Sequence, residues 1–372
     1  MKKLIISICT ALCLSAAPLT AVEWGGLLFN DSGIATPDFK DITVKQSDGI
    51  SLWLKSPLGA NSGFYFSTEA LYKFNLEINK DAGTTFTQIV DLPLLKVSGD
   101  IAAGSGLLSL NAGRFFYVDG STAVISQVVD GVSVSYALPV FKAGAFAGYT
   151  GLLNGLNVSM AVSPEKDNKI YNLAYPYLPL GAFIEFPALG GNQSLELDAY
   201  YLLDLGSAKN NLCYANLVLS GPIANSVYYN AATSLGFMNF KSMMNYSAFS
   251  LLVFPSDSIS LNAGVTFGSA ADQGVFAAFT SLSPVSFAAA GKITPKVALT
   301  FTTADLCFDL GGNFVLLYDA NKYSPSNTDW NIGVIYNIFS DLQVGFSADA
   351  SIDLTEAKAN NFNAKVNISL AF

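Results

Sequence analysis

The stretch that decides the fold is the last eleven residues, Phe362-Asn363-Ala364-Lys365-Val366-Asn367-Ile368-Ser369-Leu370-Ala371-Phe372. Every second side chain from Phe362 onward is apolar, and most of those between are polar: Asn363, Lys365, Asn367 and Ser369. A period of two is that of a β-strand, whose successive side chains point to opposite faces. In water this strand would expose an apolar face to aggregation, whereas in a bilayer it is well placed if a neighbour pairs its backbone. The stretch alone fits either a membrane barrel or the last strand of a soluble sandwich.

The first 21 residues have the pattern of a signal peptide. Lys2 and Lys3 precede an apolar run over residues 4–14, and Leu19-Thr20-Ala21 offers a processing site before Val22. The apolar run is too short to span a membrane by itself. A lipoprotein modified at Cys13 is the alternative, although Thr10-Ala11-Leu12 is a poor context for that modification. We therefore predict export, with residues 1–21 removed.

The mature chain would be strongly acidic. It keeps 17 basic and 28 acidic residues, a formal charge of −11. This balance argues against a nucleic-acid partner, which requires clustered Lys and Arg. Only Cys213 and Cys307 remain, so one disulfide is possible, but their positions in strand-like runs favour two unpaired thiols.

The composition favours a membrane barrel over a soluble domain. Charged residues make up 13% of the chain and apolar residues 51%, against roughly 25% charged in soluble domains. No segment after residue 21 is a convincing spanning helix, because residues 143–164 and 273–291 are interrupted by Gly, Asn, Ser or Pro. An exported chain of this kind is typical of a closed antiparallel transmembrane β-barrel.

Alternation is nearly continuous over residues 48–372, which we assign to the barrel. We predict about 18 strands, within a range of 16 to 20. One parity collects the charges, and the following are predicted to face the lumen: Glu69, Lys73, Glu77, Glu196, Asp198, Asp349 and Lys365. Residues 22–47 are less regular and contain turn chemistry at Asn30-Asp31-Ser32-Gly33, so we predict an irregular segment there, either a plug or a lead-in.

Four longer polar connections are predicted at one end of the barrel. They cover residues 163–176, 204–211, 319–329 and 353–361. Barrels of this type have short turns at the periplasmic end and longer loops outside. If the chain ends at the periplasm, counting strands places all four connections outside the cell.

The residues that would support catalysis are missing. The chain has no histidine, which excludes a Ser-His-Asp hydrolase and the usual zinc sites. Gly104-Ser105-Gly106 lacks the flanking pattern of a phosphate loop or a nucleophile elbow. Glu196 and Asp198 could share a strand face, but lumen-facing charge is the commoner use of such a pair. We predict no enzyme activity, no catalytic residues, no cofactor and no metal.

Arg114 is the only arginine, and its position conflicts with the alternation. Parity places it on the side of Leu108 and Leu110, which would face lipid. Arginine at the midplane of such barrels costs about 2–4 kcal/mol. Either a bulge at Gly113 turns the side chain inward, or the strand has already left the bilayer.

Residues 108–136 resemble a region of substrate-selective bacterial outer-membrane porins, in which a Gly-Arg strand end is followed by Asp-Gly before the next strand. In those porins a loop from this region folds into the lumen and narrows it. The resemblance implies that Arg114, Asp119 and Asp130 line the constriction. The alternative is an interfacial arginine paired with a loop aspartate. The end of the chain is similar to the terminal signal read by barrel-assembly machinery, carried by Val366, Ile368, Leu370 and Phe372.

The sequence therefore predicts a porin-like barrel in the outer membrane of a diderm bacterium that passes small hydrophilic solutes. Its expected partners are outer-membrane lipid, the barrel-assembly machinery and the solutes, with a homo-oligomer possible. A hydrophobic-substrate transporter with an N-terminal plug is one alternative, suggested by residues 22–47 and by apolar residues of lumen parity: Leu71, Leu202 and Leu317. A structural or adhesive surface barrel is another.

Overall fold

The protein is a single antiparallel sheet of 18 strands that closes on itself. The computed structural model describes residues 22–37, 40–59, 62–150, 176–207, 209–269, 281–319, 322–355 and 360–372. The strands are β1 (Glu23–Pro37), β2 (Thr43–Pro57), β3 (Phe64–Asn79), β4 (Gly83–Ala103), β5 (Gly106–Val118), β6 (Ser126–Ala137), β7 (Lys142–Tyr149), β8 (Tyr177–Leu189), β9 (Gln193–Asp204), β10 (Leu212–Ala224), β11 (Val227–Met238), β12 (Ser242–Ser256), β13 (Ile259–Gly268), β14 (Lys292–Thr302), β15 (Leu306–Asp319), β16 (Lys322–Asn337), β17 (Leu342–Asp353) and β18 (Asn361–Ala371). One short helix, α1 (Pro284–Ala289), precedes β14.

Each strand pairs with its neighbours in the sequence, and β1 pairs with β18 to close the barrel. The closing register runs from Leu27 opposite Ala371 to Pro37 opposite Asn361. Closure between β1 and β18 leaves the sheet without a terminal edge strand, as a sheet in hydrocarbon requires. The closed antiparallel barrel of about 18 strands predicted from the sequence is confirmed. No helix in the described part of the chain is long and apolar enough to cross a membrane.

The prediction of an irregular segment over residues 22–47 was wrong. Glu23–Pro37 is β1, and β2 begins at Thr43. The turn chemistry at residues 30–33 is overridden because β1 is paired along its length on both sides, to β2 and to β18. Residues 23–37 and 43–47 belong to the wall, so they provide no plug, and this segment no longer supports the transporter alternative.

The inward face is identified by side chains that touch a segment inside the barrel. Asp198 on β9, Asn216 on β10 and Ser234 on β11 each hydrogen-bond to residues 119–121. Residues opposite each other in register share a face, so the inward parity can be followed around the sheet. The outward parity is largely apolar and solvent-accessible, as at Leu197, Leu217 and Leu235.

The connections divide between the two ends as predicted, with one exception. We call the end where Phe372 lies the terminus end and the opposite end the loop end. The connections after β7, β9, β15 and β17 are all at the loop end. The connection at residues 319–329 is not long, however, because Tyr318 pairs with Tyr323 and Asp319 with Lys322. Residues 163–175 lie outside the described part of the chain.

The hairpin formed by β5 and β6 leaves the wall. The β4–β5 register ends at Leu95 opposite Arg114, and the β6–β7 register begins at Asp130 opposite Tyr149. Residues 115–129, which we call the inner hairpin, therefore pair only with each other within the described strands. Gly113, immediately before the departure, has φ +123°, a conformation that glycine adopts without strain.

Candidate functional site

The tip of the inner hairpin is fastened to the inward face of three strands. The Gly120 N–H donates to Asp198 Oδ2 at 3.2 Å, and Asn216 Nδ2 donates to Asp119 Oδ2 at 3.2 Å. Ser234 Oγ lies 3.1 Å from Ser121 Oγ. These strands lie four to six positions from β5 in the sheet. The hairpin therefore reaches across the lumen to the wall formed by β9–β11.

Asp119 also holds the tip together internally. Its Oδ1 accepts the N–H groups of Val124 at 3.0 Å and Ile125 at 2.7 Å, and its Oδ2 accepts the Ser121 N–H at 3.0 Å. The Ser121 hydroxyl donates to the same Oδ2. Burial raises the pKa of the Asp119 carboxyl, while the hydrogen bonds from Ser121, Ile125 and Val124 oppose that shift. One carboxylate thus organises the turn and ties it to β10.

A second segment inside the barrel, residues 281–291, packs on the inner hairpin. Leu282 N–H donates to Val124 O at 2.8 Å, and Ser126 N–H donates to Leu282 O at 3.3 Å. Ser283 Oγ donates to Thr122 O at 2.6 Å. The two segments come from connections at the same end of the barrel. Together they narrow the lumen.

Apolar packing beneath the tip fixes its depth. Val124, Ile125 and Val129 of the hairpin are fully buried, as is Leu202 on β9. They form one cluster with other inward residues, among them Phe146, Tyr177, Tyr200, Leu212, Tyr214, Met244, Tyr246 and Leu282. Leu202, which suggested an apolar substrate path, is thus a packing residue.

A cavity of about 480 Å³ remains beside the hairpin. Its lining combines aromatic, polar and charged side chains from the hairpin and from β5 to β9: Asn111, Tyr117, Asp119, Ser133, Lys142, Phe183, Glu185, Glu196 and Tyr200. The Tyr117 and Tyr200 hydroxyls are 3.1 Å apart. Such a mixture of ring faces and hydrogen-bonding groups suits a small polar solute.

Carboxylates outnumber amines in this lining. Lys142 Nζ is 4.0 Å from Glu185 Oε2, so the one cationic group of the lining is already paired. Glu196 lies directly against the backbone of Gly120, where a Cβ atom would be 2.4 Å from the carboxylate. Within the described part of the chain, neither Asp119 nor Glu196 forms an ion pair with a basic side chain. The site therefore carries a local excess of negative charge.

Arg114 and Asp130 lie at the base of the inner hairpin instead of at its tip. They are opposite each other in register, and Arg114 Nη1 is 3.0 Å from Asp130 Oδ2. The Arg114 side chain is only 4% exposed and neither residue lines the cavity. The expectation that this pair faces solute in the constriction is not supported by its position, because the hairpin bends at Gly113 and buries the pair. Asp119 does line the cavity.

The other charges of predicted lumen parity lie on the inward face, but they do not form one site. Glu196 and Asp198 lie at the inner hairpin. Glu69 Oε1 accepts a hydrogen bond from Ser51 Oγ at 2.5 Å, and Lys365 Nζ is 3.0 Å from Asp31 Oδ1. Lys73, Glu77 and Asp349 share this inward face by register. Sequence reasoning missed Asn216 and Ser234 because they act by contact with a tip distant in the chain. It also missed Lys142 and Glu185, which the fold brings to the cavity from separate strands.

Nothing in the described residues has the arrangement of a metal centre. No group of three His, Cys, Asp or Glu side chains is placed to hold an ion in that part of the chain. Cys213 and Cys307 are both free thiols.

The fold and the inward hairpin define a class, the 18-stranded antiparallel barrel with an internally narrowed lumen. No protein-family model matches the chain, and no curated sequence matches it. Solved structures with this fold do. Pseudomonas aeruginosa OpdK with vanillate is similar at a TM-score of 0.64 and 11% identity, over 94% of this chain and 98% of that one.

Two further Pseudomonas aeruginosa structures are similar. OccK2 (OpdF) in complex with glucuronate has a TM-score of 0.64 and 12% identity, covering 95% of this chain and 98% of that chain. OccK7 (OpdD) has a TM-score of 0.62 and 10% identity, covering 95% and 99%. OpdK is described as an outer membrane protein. At these identities the likeness shows the fold alone, and it agrees with the closed barrel predicted from the sequence.

Proposed function

We propose that this protein is an outer-membrane channel for small hydrophilic solutes, with the inner hairpin as its constriction. The observation that carries the proposal is the fastening of residues 119–121 across the lumen to β9, β10 and β11. A segment fastened across the lumen, with a cavity of about 480 Å³ beside it, fits a constricted channel better than a purely structural barrel. A signal peptide over residues 1–21 would direct export, and the loop end would face outside.

The charge of the cavity supports a preference for cationic or neutral solutes. Vanillate and glucuronate, the ligands in two structures of similar fold, are both carboxylates. Here Asp119, Glu185 and Glu196 line the cavity beside Lys142, which is paired. Charged groups in a narrow lumen act through low-dielectric surroundings and set selectivity. A free carboxylate would meet repulsion at this point.

Reversal potential in planar bilayers tests the channel and its selectivity together. In a KCl gradient the wild-type protein is expected to give stepwise ohmic openings and a cation-selective reversal potential. Glu185→Gln combined with Glu196→Gln should move the reversal potential toward zero. Glu23→Gln, in an exposed pair with Lys55 near the terminus end, is the matched control and should leave it unchanged.

Two results would contradict the proposal. A folded barrel without conductance would remove the channel itself. Anion selectivity in the wild-type protein, or an equal shift with Glu23→Gln, would retain the channel but reject the role assigned to the cavity carboxylates.

A further inference from the structure

The outward face of β1 and β2 carries a polar cluster in the middle of an otherwise largely apolar surface. Asn30 Nδ2 donates to Asp48 Oδ1, and Gln46 Nε2 donates to Asp48 Oδ2 at 2.9 Å. Ser32 Oγ donates to Asn30 Oδ1 at 3.2 Å. We call these four residues the outer polar cluster. Among the strands that the structure describes, the register places only one charged side chain outward, Asp48, besides the Arg114–Asp130 pair at the base of the inner hairpin.

Apolar side chains surround the cluster on all four sides. Along β1 and β2 it lies between the outward register pairs Leu28–Ile50 and Ile34–Val44. On the two neighbouring strands, the residues opposite it are Ile368, Val366, Phe74 and Leu76. The cluster is therefore an island within the apolar band and does not belong to its polar rim.

An estimate of the depth of the cluster agrees with this placement. We take Gly26, whose backbone hydrogen-bonds with Phe372, as the edge of the apolar band, and Asn30 is four residues further along β1. At about 3.3 Å per residue and a strand tilt of about 40°, Asn30 then lies roughly 10 Å inside a band about 25 Å tall. Aspartate is too short to extend its carboxylate to the interface from there, as Lys or Arg can.

A polar group at a fixed depth in hydrocarbon is best covered by protein that offers polar groups at the same depth. A second copy inserted in the same direction meets this condition automatically, because its own cluster lies at an identical depth. The cluster is also self-complementary. It holds a carboxylate acceptor together with two primary amides, each of which retains a second N–H beyond the one used within the cluster.

We propose that the outer polar cluster is a contact surface between two copies of this chain, related by an axis along the membrane normal. Asn30 and Gln46 of each copy donate to the polar oxygens of the other, and the flanking residues pack as an apolar rim. Such a contact is isologous, with the same patch used by both copies. Covering the cluster also removes the Asp48 carboxylate from contact with lipid.

A second outward polar group provides the internal control. Thr233, Asn245 and Ser247 on β11 and β12 hydrogen-bond to one another, at 3.0 Å for each pair. Asn245 Nδ2 also lies 3.3 Å from Ser234 O. This group is uncharged and satisfied by its own strands, so we assign it no partner. It lies nearly opposite the outer polar cluster around the barrel.

Single-cysteine cross-linking in native membranes tests the proposal. Cys213→Ser and Cys307→Ser remove the native thiols. Ser32→Cys is then introduced at the cluster, or Ser247→Cys at the control site, and a short bismaleimide is added. Ser32→Cys is expected to give a product of twice the chain mass and Ser247→Cys none. Adding Gln46→Leu and Asp48→Leu to Ser32→Cys should lower the cross-linked yield by about tenfold.

The leucine substitutions place apolar groups on a lipid-facing surface, so the barrel is expected to keep its fold, which heat-dependent gel migration verifies. Three results would overturn the proposal: only monomer with folded Ser32→Cys protein, equal cross-linking at both positions, or a product whose mass indicates a different protein. Unchanged yield after the leucine substitutions would also reject the assigned role of the cluster.

Discussion

Arg114 shows how one residue can carry a structural task that its sequence surroundings do not reveal. It forms the buried ion pair with Asp130 at the point where both strands of the inner hairpin separate from the wall. A buried arginine without its partner is costly, because the desolvated charge is left uncompensated. The pair therefore fixes the base of the hairpin, while solute meets other side chains.

Arg114→Ala is expected to lower the free energy of unfolding by about 3–5 kcal/mol, because Asp130, whose side chain is only 16% exposed, would be left unpaired. Unfolding in urea, followed by heat-dependent gel migration, measures the change. Lys55→Ala breaks the exposed pair with Glu23, whose side chains are 44% and 66% exposed. That control should cost about 0–1 kcal/mol.

The double substitution Arg114→Ala with Asp130→Ala separates pairing from packing. It should be less destabilising than Arg114→Ala alone, since no charge is left without a partner. If Arg114→Ala costs as little as Lys55→Ala, the pair has no role in holding the hairpin.

At the scale of elements, the inner hairpin is the part of the barrel that the wall does not stabilise. It gains its position from its own register, from the apolar cluster beneath it and from the bonds made by Asp119. The two Asp119 oxygens accept five hydrogen bonds, from four residues. Because so many hydrogen bonds depend on the Asp119 side chain, a substitution there should disorder the hairpin tip measurably.

Asp119→Asn is expected to loosen the tip, because one acceptor oxygen becomes an N–H₂ group that faces hydrogen-bond donors. Each lost bond to a charged acceptor contributes about 1.5–3 kcal/mol. Single-channel recordings should show larger and noisier current steps than wild type. Asp257→Asn, in the turn between β12 and β13, is the matched control. Indistinguishable recordings from Asp119→Asn and Asp257→Asn would contradict this account.

At the scale of the whole molecule, stability depends on closing the sheet between β1 and β18. Phe372 completes that closure through two backbone bonds with Gly26, at 2.9 and 3.0 Å. Its ring also lies over Gly26, where a Cβ atom would approach Phe372 Cζ to 2.4 Å. The last residue therefore contributes to the seam as well as to the predicted assembly signal of Val366, Ile368, Leu370 and Phe372.

Deleting Phe372 is expected to reduce the fraction of chain that reaches the membrane as a folded, heat-modifiable barrel. The seam would lose two hydrogen bonds and the cover over Gly26, and the predicted assembly signal would lose its terminal aromatic. Phe339→Ala, which removes a similarly exposed ring from the turn after β16, should assemble normally. Equal assembly of both variants would argue against a special role for the terminus.

Much of the architecture was predictable because alternation is a local property. The parity of charges at Glu69, Glu196 and Asp349 assigns the inward face without any knowledge of neighbours. The count of about 18 strands follows from the same pattern and from turn residues. The first strand was predicted to be irregular because Asn30-Asp31-Ser32-Gly33 has turn chemistry. Asn30 and Ser32, two of these residues, are members of the outer polar cluster.

The sequence by itself determined that this chain forms a two-faced sheet with charge on one side. It also determined that the sheet suits a closed barrel in lipid, because the alternation of apolar and polar side chains can be seen in consecutive residues. Only the tertiary structure decided that residues 115–129 leave the wall and that Arg114 is buried at their base. It alone placed Asp119 against Asn216 across the lumen. These features depend on where pairing between distant strands ends, and no local pattern encodes that point.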